Sequence, residues 1–217
     1  MARLPASPIS RLEAEDIRYA EQLGYRIKLL GITKHKAEGI ELRVHPTLIP
    51  AKRLIANVEG AMNAVLVQGD AVGATLYYGK GAGAEPTASA VIADLVDVTR
   101  MATADPENRV PHLAFQPDAV ADIPVLPMAE VETSYYLRLR VEDKPGVLAD
   151  ITRILADQQI SIDAMIQREP GEGEMQTDII MLTHVTRERQ IDGAIASIEA
   201  LPVVKRKVIR LRLEELG

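Results

Sequence analysis

Apolar and polar positions alternate or cluster along the chain in short stretches, and these predict its elements. Tyr135, Leu137, Leu139 and Val141 alternate with Tyr136, Arg138 and Arg140, the period-two pattern of a half-buried strand. A turn over 143–146 follows, and Val147, Leu148, Ile151, Ile154 and Leu155 make the apolar stripe of an amphipathic helix. Ile160, Ile162, Ala164 and Ile166 predict a second strand, Gly171 and Gly173 a turn, and 175–184 a third strand. Thr186 can cap a helix on which Ile191, Ala194, Ile195, Ile198 and Leu201 share a face; Pro202 stops it, and 203–213 reads as a last strand. The order β-α-β-β-α-β is that of a ferredoxin-like unit.

Upstream the pattern is less regular. Residues 11–23 read as a helix with Leu12, Ile17, Ala20 and Leu23 inward, Glu13, Glu15, Arg18 and Glu21 outward, and Gly24 at its C-terminal end. Residues 25–33 and 40–47 are β-like and predict an antiparallel pair about a polar turn ending at Gly39. Lys28 on the first of these is a formal candidate for a base, but an alternating lysine on a strand is read as a solvated-face residue. A short helix over 51–58 and strands over 64–68 and 75–78 complete an expected antiparallel sheet with helices on one side.

Gly79, Gly81 and Gly83 then precede Pro86-Thr87 and an apolar helical run, giving a strand, a glycine turn and a helix start. Pro86 suits the first helical position, and free N–H groups at such a terminus favour an anion. Residues 79–84 fit G-x-G-x-x-A letter by letter, but no βαβ unit follows, so the dinucleotide fingerprint fails in context. Lys80 is followed by Gly81 rather than Ser or Thr, which excludes a P-loop. Five prolines (106, 111, 117, 124 and 127) break every pattern over 103–133, which reads as a linker.

Composition changes this picture by exclusion. Of 217 residues 47% are hydrophobic, which fits an ordinary globular chain of one or two domains. No run is apolar enough to span a membrane and the first ten residues hold no apolar signal core, so a cytoplasmic protein is expected. No cysteine is present and the four histidines lack ligand spacing, so neither thiolate chemistry nor a metal site is expected. The net charge of −6 falls evenly on either side of Glu130, leaving neither half the basic face that nucleic acid requires.

The stretch LRLRVEDKPGVLADITRIL, with Gly146 at the mouth of the helix and Ser161-Ile162-Asp163 opening the next strand, resembles an ACT domain, the amino-acid-sensing module of many biosynthetic enzymes. The resemblance covers 134–217. EDIRYAEQLGYRIKLLGI, NVEGAMNAV, GKGAGAEPTASAVIADL, HLAFQP and IPVLPM, in that order, resemble the C-terminal part of the homoserine dehydrogenase substrate domain. Together they imply an α+β chain in three parts: part of a substrate and dimerisation domain over 1–102, a linker over 103–133, and an ACT domain over 134–217.

The family's Rossmann domain, acidic substrate ligands and proton-transferring lysine have no counterpart here, so no catalytic residue is expected and the chain alone should be inactive. The resemblance places Gly83 against the nicotinamide cofactor, NAD(P), of the complete enzyme, with none expected on this chain by itself. An amino-acid effector, threonine by the family's pathway, is expected at Asp143, Pro145, Gly146, Val147 and Leu148, where N–H groups at the helix mouth favour its carboxylate, with Asp163 available for the ammonium group or for a partner subunit. A homodimer or higher oligomer through the sheet and the ACT domain is also implied. The other reading is a stand-alone regulatory module that binds an amino acid and catalyses nothing.

Overall fold

The computed structural model describes residues 12–103, 117–171 and 173–216. The expectations for the first ten residues and for the linker over 104–116 lie outside these. The described chain forms two compact units, one from the residues up to Ala56 together with Pro124–Leu216, the other from Asn57–Ile123.

In the first unit the elements are helix α1 (Ala14–Gln22), β1 (Tyr25–Lys36), β2 (Gly39–Pro50), β5 (Glu132–Thr133), β6 (Tyr135–Glu142), α3 (Val147–Asp157), β7 (Ile162–Gln167), β8 (Gln176–Thr183), β9 (Thr186–Arg187), α4 (Glu188–Glu199) and β10 (Ile209–Leu213); the second holds β3 (Met62–Gly69), β4 (Gly73–Lys80) and α2 (Ala84–Thr103). Four strands in the order β10-β6-β8-β7, with α3 and α4 between them in sequence, are the expected ferredoxin-like unit. Its α3/α4 face is apolar as the alternation requires. Tyr135, Leu137, Leu139, Val141, Ile179 and Met181 pack against Ile151, Leu155, Ile191 and Ile198.

The sheet does not stop at four strands, and here the structure departs from the expected boundaries. β2 pairs in parallel with β10 (Thr47 with Arg212, Leu48 with Leu213), so the β1–β2 hairpin extends the sheet to β1-β2-β10-β6-β8-β7. This hairpin therefore shares no sheet with β3–β4, which pair only with each other. The physical reason lies in β2. Leu48 is fully buried against Tyr136, Leu211 and Leu213, while Glu41, Arg43, His45 and Thr47 are buried on the opposite face, so β2 is an interior strand.

α1 covers the sheet face opposite α3 and α4, and it does so with Asp16, Tyr19 and Ala20. Of the expected stripe, Ala20 is buried and Leu12 and Leu23 pack against the core, but Ile17 is exposed and Asp16 is inside in its stead. Part of the expected linker is also structural. Ile40 N–H donates to Pro124 O and Leu126 N–H to Ile40 O, both at 2.9 Å, and β5 pairs with β9. Gly39, at φ +149°, lies under this segment so closely that a Cβ would meet Pro124 O at 2.3 Å.

In the second unit, strand, glycine turn and helix occur as expected. α2 begins at Ala84, two residues before Pro86, so the proline is the third helical residue, still in the turn where N–H groups lack intrahelical partners. No residue of α2 is buried, and Val91, Ile92, Leu95 and Val98 each stay more than half exposed.

Candidate functional site

Strand β6 delivers the chain into the turn at Glu142, and the turn must reverse into α3 within four residues. Gly146 makes this possible by taking φ +92° as the N-cap of α3, a left-handed conformation that glycine adopts without strain. A Cβ there would meet nothing within 4 Å, so the space in front of it is open. Glycine offers no side-chain cap; the Val147 N–H reaches Lys144 O at 3.4 Å, while the Leu148 and Ala149 N–H groups lack an acceptor within the helix and lie at the positive end of its dipole.

A depression of about 430 Å³ lies at this turn. Asp143, Pro145, Gly146, Val147 and Leu148 all line it, as a site at the glycine turn would require. Asp163 does not. It stands near the other end of β7, exposed and 4.0 Å from His184, whereas the β7 residue that reaches the depression is Gln167. Four residues of extended strand place the two roughly 13 Å apart.

Sequence reasoning missed Gln167, Thr177 and Ile179, which close the far wall. Thr177 carried a usable signal, because it shares the inward parity of Ile179 and Met181 on β8. Gln167 becomes visible only once its register with Ile179 is known. On the rim, Glu142 receives Lys144 Nζ at 2.6 Å and also pairs with Lys205. The hydrogen bonds from Lys144 and Lys205 hold its carboxyl down at about 2, below the usual carboxylate range.

Gly83 lies in the other unit at φ +125°, where only Pro86 approaches a Cβ position, at 3.4 Å. Glycine is favoured there by the backbone itself, whatever binds nearby. Among the described residues no cluster of three or more metal-binding side chains occurs, and no helix is long and apolar enough to cross a membrane.

The fold and the glycine turn define an α+β chain that ends in an ACT domain, and an ACT family model matches residues 135–203. A family model described as homoserine dehydrogenase matches residues 1–96. The chain belongs to the homoserine dehydrogenase family and corresponds to its C-terminal region. It is 57% identical over 209 residues to a homoserine dehydrogenase of Pseudomonas aeruginosa, covering 96% of this chain and 48% of that protein. To that of Neisseria gonorrhoeae it is 55% identical over 208 residues, again covering 96% and 48%. The crystal structure of a homoserine dehydrogenase from Thiobacillus denitrificans superposes with a TM-score of 0.89 at 68% identity, over 99% of this chain and 50% of that one. The chain thus spans about half the length of the curated relatives it matches.

Proposed function

We propose that this chain is the regulatory and structural half of an NAD(P)-dependent homoserine dehydrogenase, an enzyme interconverting aspartate semialdehyde and homoserine, and that its ACT domain senses threonine. The observation that carries the sensing role is the open left-handed turn at Gly146. An amino acid's carboxylate there meets unpaired N–H donors and the helix dipole. Threonine rather than another amino acid follows from the family's pathway. The open depression at the turn is compatible with any small side chain. Cytoplasmic residence and a homo-oligomer built through the remaining sheet edges, β1 and β7, belong to the same reading.

The hydride chemistry comes from the nicotinamide cofactor when it is bound. In this reading Gly83 lies against that cofactor at the start of α2. The exposed apolar side chains of α2 support it, because a free-standing sensor has no use for an uncovered apolar helix. With homoserine and either cofactor the chain alone is expected to give only background reduction, and turnover would remove this reading.

Calorimetry with threonine is expected to show saturable binding. Asp and Asn are the non-glycine residues that best tolerate left-handed backbone, so Gly146→Asp and Gly146→Asn differ chiefly in charge. The Asp variant should weaken binding by about tenfold or more relative to Asn, since it sets a carboxylate against the ligand's own. No heat at millimolar threonine, or equal affinities for the two variants, leaves the ACT domain without this sensing role.

A further inference from the structure

A second cavity, of about 450 Å³, opens on the opposite face of the same sheet, beyond the N-terminal end of α1. Its floor is β6 and β8, through Arg138, Arg140, Gln176 and Asp178, and Arg168 and Glu169 stand on its wall. Thr177 borders this cavity as well as the one at the glycine turn. The two lie back to back across β8.

The charges of this cavity do not all cancel internally. Arg138 is taken by Asp16 and Glu13, and Arg206 by Glu13. Arg140 is shared between Glu174 at 3.3 Å and Asp178 at 3.4 Å. Among the described residues that leaves the Arg168 guanidinium and the Glu169 carboxylate without an ion-pair partner. Asp178 is 8% exposed, and its Oδ1, although within ion-pair range of Arg140, accepts no hydrogen bond. A buried carboxylate oxygen with an unfilled lone pair is costly unless a donor reaches it. The Thr177 hydroxyl donates to the Arg168 carbonyl, and Arg168 N–H donates to Asp178 O at 3.3 Å, so the cation and the buried acid are held on adjoining strands.

We propose that this cavity is a binding site for a small zwitterion of the α-amino-acid class, distinct from the glycine-turn site. Its ammonium group donates to Asp178 Oδ1 and its carboxylate pairs with Arg168. A simple anion would face the carboxylates of Glu169, Glu174 and Asp178, and a simple cation would face four arginines. Only a ligand bearing both charges satisfies both vacancies. Such a ligand would bind here whether or not threonine binds at Gly146.

The test uses the whole chain carrying Gly146→Asp, the substitution expected to weaken the other site, and three probes: glycine, glycinamide and acetate. Backbone amide spectra are followed at Arg168 and Asp178. Glycine is expected to shift both amides saturably in the millimolar range, with glycinamide and acetate each weaker by about tenfold or more. Arg168→Gln and Asp178→Asn should each weaken glycine by a similar factor, and the Arg168 variant keeps the test open if loss of the buried acid impairs folding. Equal responses to glycine and glycinamide, shifts that do not saturate, or indifference to Arg168→Gln would each overturn the proposal.

Discussion

Replacing Asp16 by Ala is expected to lower the stability of the sheet-containing unit by about 3–5 kcal/mol, the range for removing one partner of a buried ion pair. Asp16 has no exposed surface, and Arg138 beneath it is 6% exposed. The carboxylate accepts Arg138 Nε at 2.7 Å and Nη2 at 3.0 Å, the Tyr136 hydroxyl at 3.0 Å and the Glu13 N–H at 2.9 Å. Burial works against the Arg138 charge, yet the hydrogen bonds and charge of Asp16 outweigh it and hold the guanidinium still more firmly protonated. Without Asp16 that cation keeps only Glu13, which is half exposed, and Tyr136 loses its acceptor. The double variant Asp16→Ala/Arg138→Met should cost less than Asp16→Ala alone, since no charge is then left unpaired. Urea unfolding of the three proteins measures this. A loss under about 1 kcal/mol for Asp16→Ala would mean that water or a rearranged Glu13 satisfies Arg138 instead.

This ion pair also marks where sequence reading stops. The strands and helices from Tyr135 to Leu213 were legible because each carries its own period: alternation on β6, a clear stripe on α3, and turn residues between them. The glycine turn was legible for the same local reason, and the structure brings five of its six expected residues to one depression. Asp163 was misplaced because position along β7 depends on where the strand starts, and its β8 register carries a bulge between Ile162 and Ala164.

The role of β2 was hidden for a different reason. Glu41, Arg43, His45 and Thr47 alternate with Ile40, Leu42 and Val44, and such a pattern reads as one wet face and one dry face. In the structure the polar face is buried, because Arg43 binds Glu214, 171 residues away, and Arg212 beside it binds Glu188 of α4. Periodicity cannot distinguish water from a distant carboxylate as the partner of an arginine. The proline segment from Pro124 reads as linker because prolines break local patterns, whereas its bonds to Ile40 are long-range and use backbone atoms.

The same buried face predicts how the fold responds to acid. His45 is 1% exposed, and its neighbours fix the neutral ring. Nε2 lies 3.3 Å from Arg43 Nη1, which can only donate, so Nε2 must accept; Nδ1 lies 3.1 Å from Pro46 O, which can only accept, so Nδ1 carries the hydrogen. Burial, and then the charge of Arg212, push the ring down to about 4; Arg43 adds to this, while the Pro46 carbonyl and Glu214 oppose it. Below pH ~6.5 the unfolded chain takes up a proton that the folded chain refuses until about pH 4, so between these values the unfolded state binds more protons and stability rises with pH. The contribution is fully present above pH ~6.5 and is lost as pH falls toward 4, about 3 kcal/mol across the window. His45→Gln keeps an acceptor for Arg43 and a donor for Pro46 but cannot be protonated. Denaturant unfolding at pH 7 and pH 5 should therefore show the unsubstituted chain losing about 2 kcal/mol more than the variant. Equal losses would place the acid sensitivity in the carboxylates of the sheet rather than in His45.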